Sequence, residues 1–162
     1  MIFGSEVESH EYSLETLASL SAHYEFKISI KNVVDIGCGN EYLDLKYWAS
    51  LTNDEDDGSP GAPLNISCTG IDKLNISSSP AYPNITAAQC DFNKVTNFGL
   101  DKKFDVAWCS DVMQYSHSPL NFLNSLNNIM QDNGMLYLRV PSTVNVVHNK
   151  FKNYTKAGYY ST

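Results

Sequence analysis

Three aspartates stand where three predicted strands end. Asp35 closes the first apolar run of the chain, Asp72 follows the second and Asp91 the third, and Gly37 and Gly39 come directly after the first acid. The glycines permit a tight turn and a close backbone approach to a ligand, and a helix that starts beyond such a turn offers N–H groups. Because parallel strands end at one edge of a sheet, we expect the three carboxylates to converge around this turn. A carboxylate after the second strand can accept hydrogen bonds from ribose hydroxyls, so the set predicts a site for a nucleoside-bearing cofactor.

The residues around the turn also distinguish between nucleoside cofactors. Phe92, beside Asp91, is placed to cover an adenine face. The dinucleotide fingerprint requires Gly or Ala at the last position of G-x-G-x-x-G/A, where this chain has Tyr42. A bulky side chain there would hinder the packing of helix against strand, and an acid directly before the turn is not part of that fingerprint. A nicotinamide-dependent oxidoreductase is therefore the weaker alternative.

Alternating strand and helix patterns supply the framework for these residues. Short apolar runs predict strands, and apolar residues at helical spacing predict helices. This alternation is typical of a parallel sheet with right-handed crossovers. The predicted strands cover 32–36, 66–71, 84–89, 104–109 and 135–140, and the predicted helices cover 12–25 and 41–51, with a further helix that begins at Ser118–Pro119 and ends at Asp132–Asn133–Gly134.

The last of these helices has the clearest start and an apolar stripe. Ser118 can cap it, and proline suits the first helical position. The connection 91–102 is short for a full helix and is expected to hold only a turn, whereas 144–154 could be helical. The positions expected to be buried in the last helix are Leu120, Phe122, Leu123, Leu126, Ile129 and Met130.

The composition is that of an acidic globular chain. Of 162 residues, 43% are hydrophobic and 18% are charged, and the net charge is −7 with Arg139 as the only arginine. Binding to nucleic acid, which depends on Lys and Arg against phosphates, is disfavoured. No apolar run approaches membrane-spanning length. We expect a soluble protein with neither nucleic acid nor a membrane as partner.

Neither the cysteines nor the acidic segment predicts a metal site. Cys38, Cys68, Cys90 and Cys109 form no C-x-x-C pair and no zinc-type spacing with histidine. Reduced thiols in a cytoplasmic protein are therefore expected. The acidic, Gly- and Pro-rich segment 52–63 lacks the spacing of a calcium loop and predicts a solvated connection.

Five segments, in order along the chain, resemble motifs of the class I S-adenosylmethionine-dependent methyltransferases, in particular their small-molecule (type 11/23-like) branch. The match runs from about residue 32 to 142. It implies S-adenosylmethionine as the cofactor and a Rossmann-like three-layer α/β/α sandwich with a mostly parallel sheet of order 3-2-1-4-5. The matching segments are Val33–Gly39, Gly70–Asp72, Gln89–Phe92, Phe104–Tyr115 and Asn133–Pro141.

The resemblance also implies the organisation of the chain. Residues 1–162 would form a single domain, with a leading helix at 12–25, a cofactor-binding core at 32–142 and a truncated tail at 143–162. The antiparallel strands that close the sheet in the family are expected to be reduced or missing. An edge at the fifth strand would carry unpaired backbone groups, so a homodimer, or a tail that caps this edge, is expected.

Each motif is implied to contribute to the cofactor site. The glycine turn would approach the methionine part of the cofactor, and the second and third motifs would hold its nucleoside. The implied residues are Asp35, Gly37, Cys38 and Gly39 at the methionine part, Asp72 at the ribose, Asp91 and Phe92 at the adenine, and Cys109, Ser110 and Asp111 in the pocket floor near the reacting methyl.

Methyl transfer from a sulfonium is an in-line displacement that mainly requires alignment and exclusion of water, so no metal is needed. The candidates for a general base are Asp111, Tyr115 and His117. Asp111 is expected rather to hold loop amides, Tyr115 to pack over the cofactor, and His117 to be a surface or capping residue. Arg139 either binds an anionic acceptor or points to solvent.

The predicted function is methyl transfer from S-adenosylmethionine to a small molecule. Family members often have a third glycine where this chain has Glu41, and a side chain there, in the first turn of the predicted helix, would crowd the amino-acid end of the cofactor. Together with the short C-terminal part, this favours an alternative: a non-catalytic domain that keeps the fold and serves as a binding or regulatory module.

Overall fold

A five-stranded sheet in which all neighbouring strands are parallel forms the centre of the computed structural model. The strand order β3-β2-β1-β4-β5 confirms the predicted order 3-2-1-4-5. The strands are β1 (Asn32–Ile36), β2 (Ser67–Asp72), β3 (Ile85–Gln89), β4 (Phe104–Ser110) and β5 (Met130–Arg139). The structure describes residues 15–20, 22, 29–53, 61–76 and 81–140.

Helices cover both faces of this sheet. Helix α1 (Leu43–Ala49) follows β1, and helix α2 (Pro119–Ile129) connects β4 to β5. Residues 15–20 are also helical, and Leu17 from this segment is buried against the α1 face. The other positions of the predicted leading helix 12–25 lie outside the described residues, apart from a turn at Ala22. The tail after Val140 also lies outside them, including the predicted helix 144–154.

Alternation along β1 separates the two hydrophobic cores. Val33 faces the α1 side, whereas Val34 and Ile36 face the α2 side, as expected for the two-residue period of a strand. All three side chains are fully buried. A run that is buried on both faces is continuous rather than alternating in hydrophobicity, which is why this strand could be located from the sequence.

Aromatic side chains hold the α1 face together. Trp48 of α1 meets Trp108 of β4 edge-to-face, with ring centroids 6.1 Å apart. Trp108 in turn stacks on Tyr137 of β5 at 3.8 Å and an interplanar angle of 10°. Tyr137 reaches the leading helical segment through a side-chain hydrogen bond with Thr16. Four elements, α1, β4, β5 and the leading helical segment, are thus joined.

Helix α1 is shorter than predicted. It spans Leu43–Ala49 rather than 41–51, because Tyr42 has a left-handed backbone (φ +37°) that a helix cannot include. The prediction that Glu41 lies in the first helical turn is therefore wrong. Glu41 is exposed in the turn before the helix, and Asp44 is the acid of the first turn.

Helix α2 begins as predicted but buries a narrower stripe. The Ser118 hydroxyl accepts a hydrogen bond from the Asn121 N–H, and Pro119 is the first helical residue. Phe122, Leu126 and Ile129 are buried. The predicted burial of Leu120 and Leu123 is wrong, since they are 68% and 39% exposed. A residue two positions from Phe122 lies on the opposite side of a helix, so the stripe could not include Leu120.

The end of α2 also differs from the prediction. The helix stops at Ile129, and Met130 already pairs with Phe104 in the sheet. Asp132–Asn133–Gly134 is therefore not the helix stop. It lies within an irregular part of β5, because the next register pair is Val106 with Met135. Regular pairing resumes close to the predicted start of the strand.

Of the two predicted connections, the one between β3 and β4 is confirmed. The segment between β3 and β4 contains only a short 3-10 turn, Thr96–Gly99. At the ends of the acidic segment, Thr52–Asn53 and Ala62–Pro63 pair as two-residue antiparallel strands, which the prediction of a plain loop missed. Residues 54–60 lie outside the described residues.

Candidate functional site

The glycine turn is fastened to the neighbouring strand. The N–H groups of Gly37 and Cys38 both donate to the carbonyl of Ile71, at 2.7 and 3.2 Å. Gly37 and Gly39 have positive φ angles of +82° and +66°, which glycine adopts without the steric cost of a Cβ. The chain can therefore leave β1 sharply and remain close to the end of β2.

The residues of this turn face different surroundings. A Cβ at Gly37 would lie 2.6 Å from Cγ2 of Val112, whereas a Cβ at Gly39 would meet nothing within 4 Å. Gly37 is therefore a packing glycine, and Gly39 borders open space. The side chain of Cys38 is buried, and its Sγ would be 2.7 Å from a Cβ at Gly70. Only the backbone of Cys38 is therefore available to a ligand at the turn.

Asp72 lies at the end of β2 beside this turn. Its Oδ2 accepts a hydrogen bond from the Gly39 N–H at 2.9 Å, and its Oδ1 accepts one from the Leu74 N–H at 2.9 Å. The structure thus brings the second predicted acid against the glycine turn. The half-buried carboxylate keeps further lone pairs for a ligand, because each carboxylate oxygen can accept more than one hydrogen bond.

Asp35 lies beneath the turn, and a second buried acid stands near it. Asp35 is 3% exposed, and burial raises its pKa well above the ordinary value, with smaller contributions from the charges of Asp44 and Asp72. Asp44 is 2% exposed and belongs to α1. Asp44 is not among the residues predicted from the sequence. The signal was present, since this acid adjoins Leu45 on the apolar face of the helix.

Asp91, the third predicted acid, stabilises the turn that follows β3. The Oδ1 of Asp91 accepts a hydrogen bond from the Asn93 N–H at 3.1 Å, and its Oδ2 pairs with Lys94 Nζ at 3.2 Å. These interactions, the backbone N–H first, lower the pKa of Asp91. Phe92 packs edge-to-face against Phe98 and Phe122, with centroids 6.4 and 5.2 Å apart. Its ring is therefore oriented by the core on the α2 face.

The pocket-floor residues at the end of β4 differ in exposure. Cys109 is fully buried in the core on the α2 face. Ser110 follows it, and its Oγ is buried with no hydrogen-bond partner among the described residues. Buried hydroxyls are usually hydrogen-bonded. The orphaned hydroxyl is therefore a group that a bound ligand could satisfy.

Asp111 and Arg139 form an ion pair at the ends of β4 and β5. Arg139 Nε lies 3.6 Å from Asp111 Oδ2, and the two side chains are 31% and 27% exposed. The backbones are also joined, because the Asp111 N–H donates to the Arg139 carbonyl at 3.0 Å. An anionic acceptor and solvent are the two partners that the sequence suggests for Arg139, and the structure adds Asp111 as an ion-pair partner.

The other two base candidates lie on the segment between β4 and α2. The ring of Tyr115 faces Lys73, with Nζ 5.5 Å from the ring centroid, and Lys73 directly follows Asp72. His117 is exposed, as expected of a surface residue near a helix start. Tyr115 therefore lies on the side of Asp72, whereas the backbone of His117 bonds to Asn93, beside the predicted adenine residues Asp91 and Phe92.

A cleft of about 560 Å³ lies beside these residues, between the turn after β3 and helix α2. Its walls include Phe92 and His117 but none of the residues of the glycine turn. The cleft therefore adjoins the predicted adenine end of the site and not its methionine end. Asparagines that the sequence analysis did not single out also line it, namely Asn93, Asn97, Asn121, Asn124 and Asn128.

The described part of the chain holds neither a candidate metal cluster nor a helix able to cross a membrane. Within residues 15–20, 22, 29–53, 61–76 and 81–140, no group of three or more His, Cys, Asp or Glu side chains is arranged to hold a metal ion. In the same ranges, no helix has the length and apolar character needed to cross a membrane.

The parallel sheet, the glycine turn after β1 and the acid after β2 define a Rossmann-like α/β domain. Residues 10–159 match the family described as "Methyltransferase domain", so the chain belongs to this family of methyltransferase domains. This confirms the resemblance found in the sequence.

One curated relative and two solved structures illustrate the likeness. The ubiquinone biosynthesis O-methyltransferase of Rickettsia akari (strain Hartford) is 24% identical over 139 residues, which cover 83% of this chain and 47% of the relative. The trans-methyltransferase CalH, in complex with SAH, aligns with a TM-score of 0.53 at 17% identity and covers 74% of this chain and 34% of CalH. The methyltransferase in complex with the Haloferax volcanii Trm112 activator aligns with a TM-score of 0.55 at 15% identity and covers 93% of this chain and 66% of that protein. This chain spans about half the length of the curated relative that it matches.

Proposed function

We propose that this domain binds S-adenosylmethionine and transfers its methyl group to a small-molecule acceptor. The observation that carries the proposal is the hydrogen bond between Asp72 and Gly39. It places a carboxylate that can accept from ribose hydroxyls against a glycine turn whose second glycine borders open space.

The residues present fit this cofactor. The open backbone at Gly39 leaves room for the methionine part, and the buried hydroxyl of Ser110 offers a hydrogen bond. The cofactor carries positive charge on its sulfonium and ammonium groups. The carboxylate of Asp72 beside the turn suits such a cation because opposite charges attract strongly where water is partly excluded.

We assign the site residues by their positions. Asp72 holds the ribose, Asp91 and Phe92 lie at the adenine, and Tyr115 covers the nucleoside. When bound, the cofactor supplies an activated methyl group, and the chain's own residues align the acceptor and exclude water. Asp111 and Arg139 stand at the acceptor end, where their ion pair fixes the direction of both side chains.

The wider setting is part of the same proposal. We propose a single domain over residues 1–162, located in the cytoplasm, where its free cysteines are reduced. Among the described residues, β5 pairs with β4 alone, which supports a homodimer or a capping segment along its outer edge. Neither nucleic acid nor a membrane is a proposed partner, in agreement with the net charge of −7.

Titration calorimetry with S-adenosylmethionine and S-adenosylhomocysteine tests the cofactor. Asp72→Asn should weaken binding at least about tenfold, because the loss of a charged hydrogen-bond partner costs about 1.5–3 kcal/mol. Asp101→Asn is the matched control, since Asp101 is exposed and precedes β4 at the opposite edge of the sheet. Equal affinities of the two variants would contradict the assignment of Asp72.

A turnover assay distinguishes a methyltransferase from a non-catalytic binding module. Release of S-adenosylhomocysteine in the presence of a panel of small phenols, carboxylic acids and amines would support methyl transfer. Cofactor binding without release for any acceptor would instead support the non-catalytic module. That alternative is kept because the chain covers 47% of its curated relative.

A further inference from the structure

The side-chain amide of Asn93 joins two loops that follow different strands. Its Nδ2 donates to the backbone carbonyl of Tyr115 at 3.0 Å, and its Oδ1 accepts from the backbone N–H of His117 at 2.9 Å. These partners lie 22 and 24 residues away along the chain. The two bonds reproduce the donor and acceptor pair that a peptide group of an adjacent strand would offer. Asn93 thus attaches the turn after β3 to the segment between β4 and α2.

An uncharged amide suits this position because its two partners have opposite polarity. The carbonyl of Tyr115 needs a donor, and the N–H of His117 needs an acceptor. An ionised carboxylate could accept from His117 but would place its second oxygen against the carbonyl of Tyr115. The methyl group of alanine would serve neither partner.

Both sides of this connection are themselves fixed. On the near side, Asp91 accepts from the Asn93 N–H at 3.1 Å and pairs with Lys94. On the far side, the Ser118 hydroxyl accepts from the Asn121 N–H in the first turn of α2 and so continues the segment into the helix. The amide of Asn93 therefore connects two constrained turns rather than two independent loops.

The connection determines where Tyr115 lies. The ring of Tyr115 faces Lys73 at 5.5 Å, and Lys73 follows β2. Because β1 lies between β2 and β4 in the sheet, this contact crosses the end of β1, above the edge that carries Asp72. An aromatic ring held there is placed to cover a nucleoside whose ribose is bound by Asp72.

We propose that Asn93 is a positioning residue for the nucleoside half of the cofactor, a role that rests on the proposed S-adenosylmethionine site. Asn93 touches the backbone of the Tyr115 segment and acts on the ligand through Tyr115. Loss of the amide leaves the carbonyl of Tyr115 without its donor and releases the ring from its place opposite Lys73. The affinity for the nucleoside then falls, while the fold is retained.

The test compares Asn93→Asp and Asn93→Ala with Asn127→Asp. Asn127 is exposed on α2 and does not line the cleft, so its variant matches the charge change of Asn93→Asp away from the site. The dissociation constant of S-adenosylhomocysteine is measured by calorimetry. We expect it to rise about tenfold for Asn93→Asp, about threefold for Asn93→Ala, and less than about twofold for Asn127→Asp.

A spectroscopic signature separates positioning from a general loss of structure. In two-dimensional amide NMR spectra, Asn93→Ala should shift the His117 amide proton upfield, because its hydrogen bond is lost, and leave the signals of β1 and β2 in place. A spectrum that collapses throughout, or an unshifted His117 signal, would contradict the proposed connection. If Asn93→Asp does not fold, Asn93→Ala decides the matter.

The wild-type protein separates this inference from the proposed function. If the wild type binds no S-adenosylhomocysteine, the cofactor assignment is overturned, and the role of Asn93 with it. If the wild type binds and both Asn93 variants bind equally well, only the positioning role is overturned.

Discussion

Asp72 and Gly39 are joined by a 2.9 Å hydrogen bond from the glycine N–H to the carboxylate, although 33 residues separate them. The same carboxylate accepts from Leu74 through its other oxygen. One side chain therefore both shapes the glycine turn and stands at the edge of the space that the turn borders. A loss of affinity in a variant of Asp72 must for this reason be compared with its loss of stability.

A substitution at Gly39 separates loss of cofactor affinity from loss of stability more cleanly than one at Asp72. Gly39→Ala should destabilise the fold by about 1–2 kcal/mol, the cost of a left-handed backbone for a residue with a Cβ, and should also block cofactor binding. Gly99→Ala is the matched control, because Gly99 has a φ of +70° and the same open surroundings. Thermal unfolding should show similar losses for both variants, whereas calorimetry should show lost affinity for Gly39→Ala alone. Intact affinity in Gly39→Ala would contradict the proposed site.

The raised pKa of Asp35 predicts a pH dependence of stability. Because burial raises this pKa, the native state binds the proton more tightly than the unfolded chain does. The stabilising contribution is therefore complete below the unfolded pKa of about 3.9 and is lost as the pH rises through the native pKa. The free energy of unfolding of the wild type, minus that of Asp35→Asn, should fall as the pH rises from about 4 to about 8. Urea unfolding at a series of pH values measures this difference. A difference that grows with pH would mean that the native state favours the carboxylate.

The ion pair of Asp111 and Arg139 predicts an effect confined to the acceptor. Arg139→Ala should leave the dissociation constant of S-adenosylhomocysteine within about twofold and should raise the KM of an acceptor once one is identified. Stability should change by no more than about 1 kcal/mol, as expected for a partly exposed pair. An unchanged acceptor KM, together with unchanged kcat, would remove Arg139 from the acceptor end.

Two leucines of α2 test the observed orientation of the helix. Leu126 is 1% exposed and Leu120 is 68% exposed. Leu126→Ala should lower the free energy of unfolding by about 2–5 kcal/mol, whereas Leu120→Ala should change it by about 0.5 kcal/mol or less. Chemical denaturation measures both free energies. Comparable losses for the two variants would contradict the observed orientation of α2 and support the stripe predicted from the sequence.

The sheet could be predicted because each of its strands is marked by a pattern of neighbouring residues in the sequence. Buried runs such as Val33–Ile36 are apolar throughout, and each is followed by an acid or a turn residue. The helix boundaries depended on features that the sequence does not display. Tyr42 adopts a left-handed backbone that few tyrosines adopt, and the rotation of α2 about its axis is set by Phe122 against Phe92 and Phe98.

The site was only partly predictable for a related reason. The convergence of Asp35, Asp72 and the glycine turn follows from strand order, which the sequence pattern indicates. The partners of Asn93 and Arg139 follow from contacts made across the fold. No periodicity or spacing in the chain signals such contacts.

Because Cys38 is packed against Gly70, its reactivity reports on local opening of the glycine turn. Burial raises the thiol pKa values of Cys38 and Cys109, and it raises that of Cys68 to about 12, so these groups stay protonated and unreactive while the fold is closed. An alkylating reagent should therefore modify the half-buried Cys90 first. It should reach Cys38 only when the glycine turn separates from the end of β2. The rate of alkylation at Cys38 then measures how often the glycine turn opens, and a ligand bound at this turn should slow the alkylation.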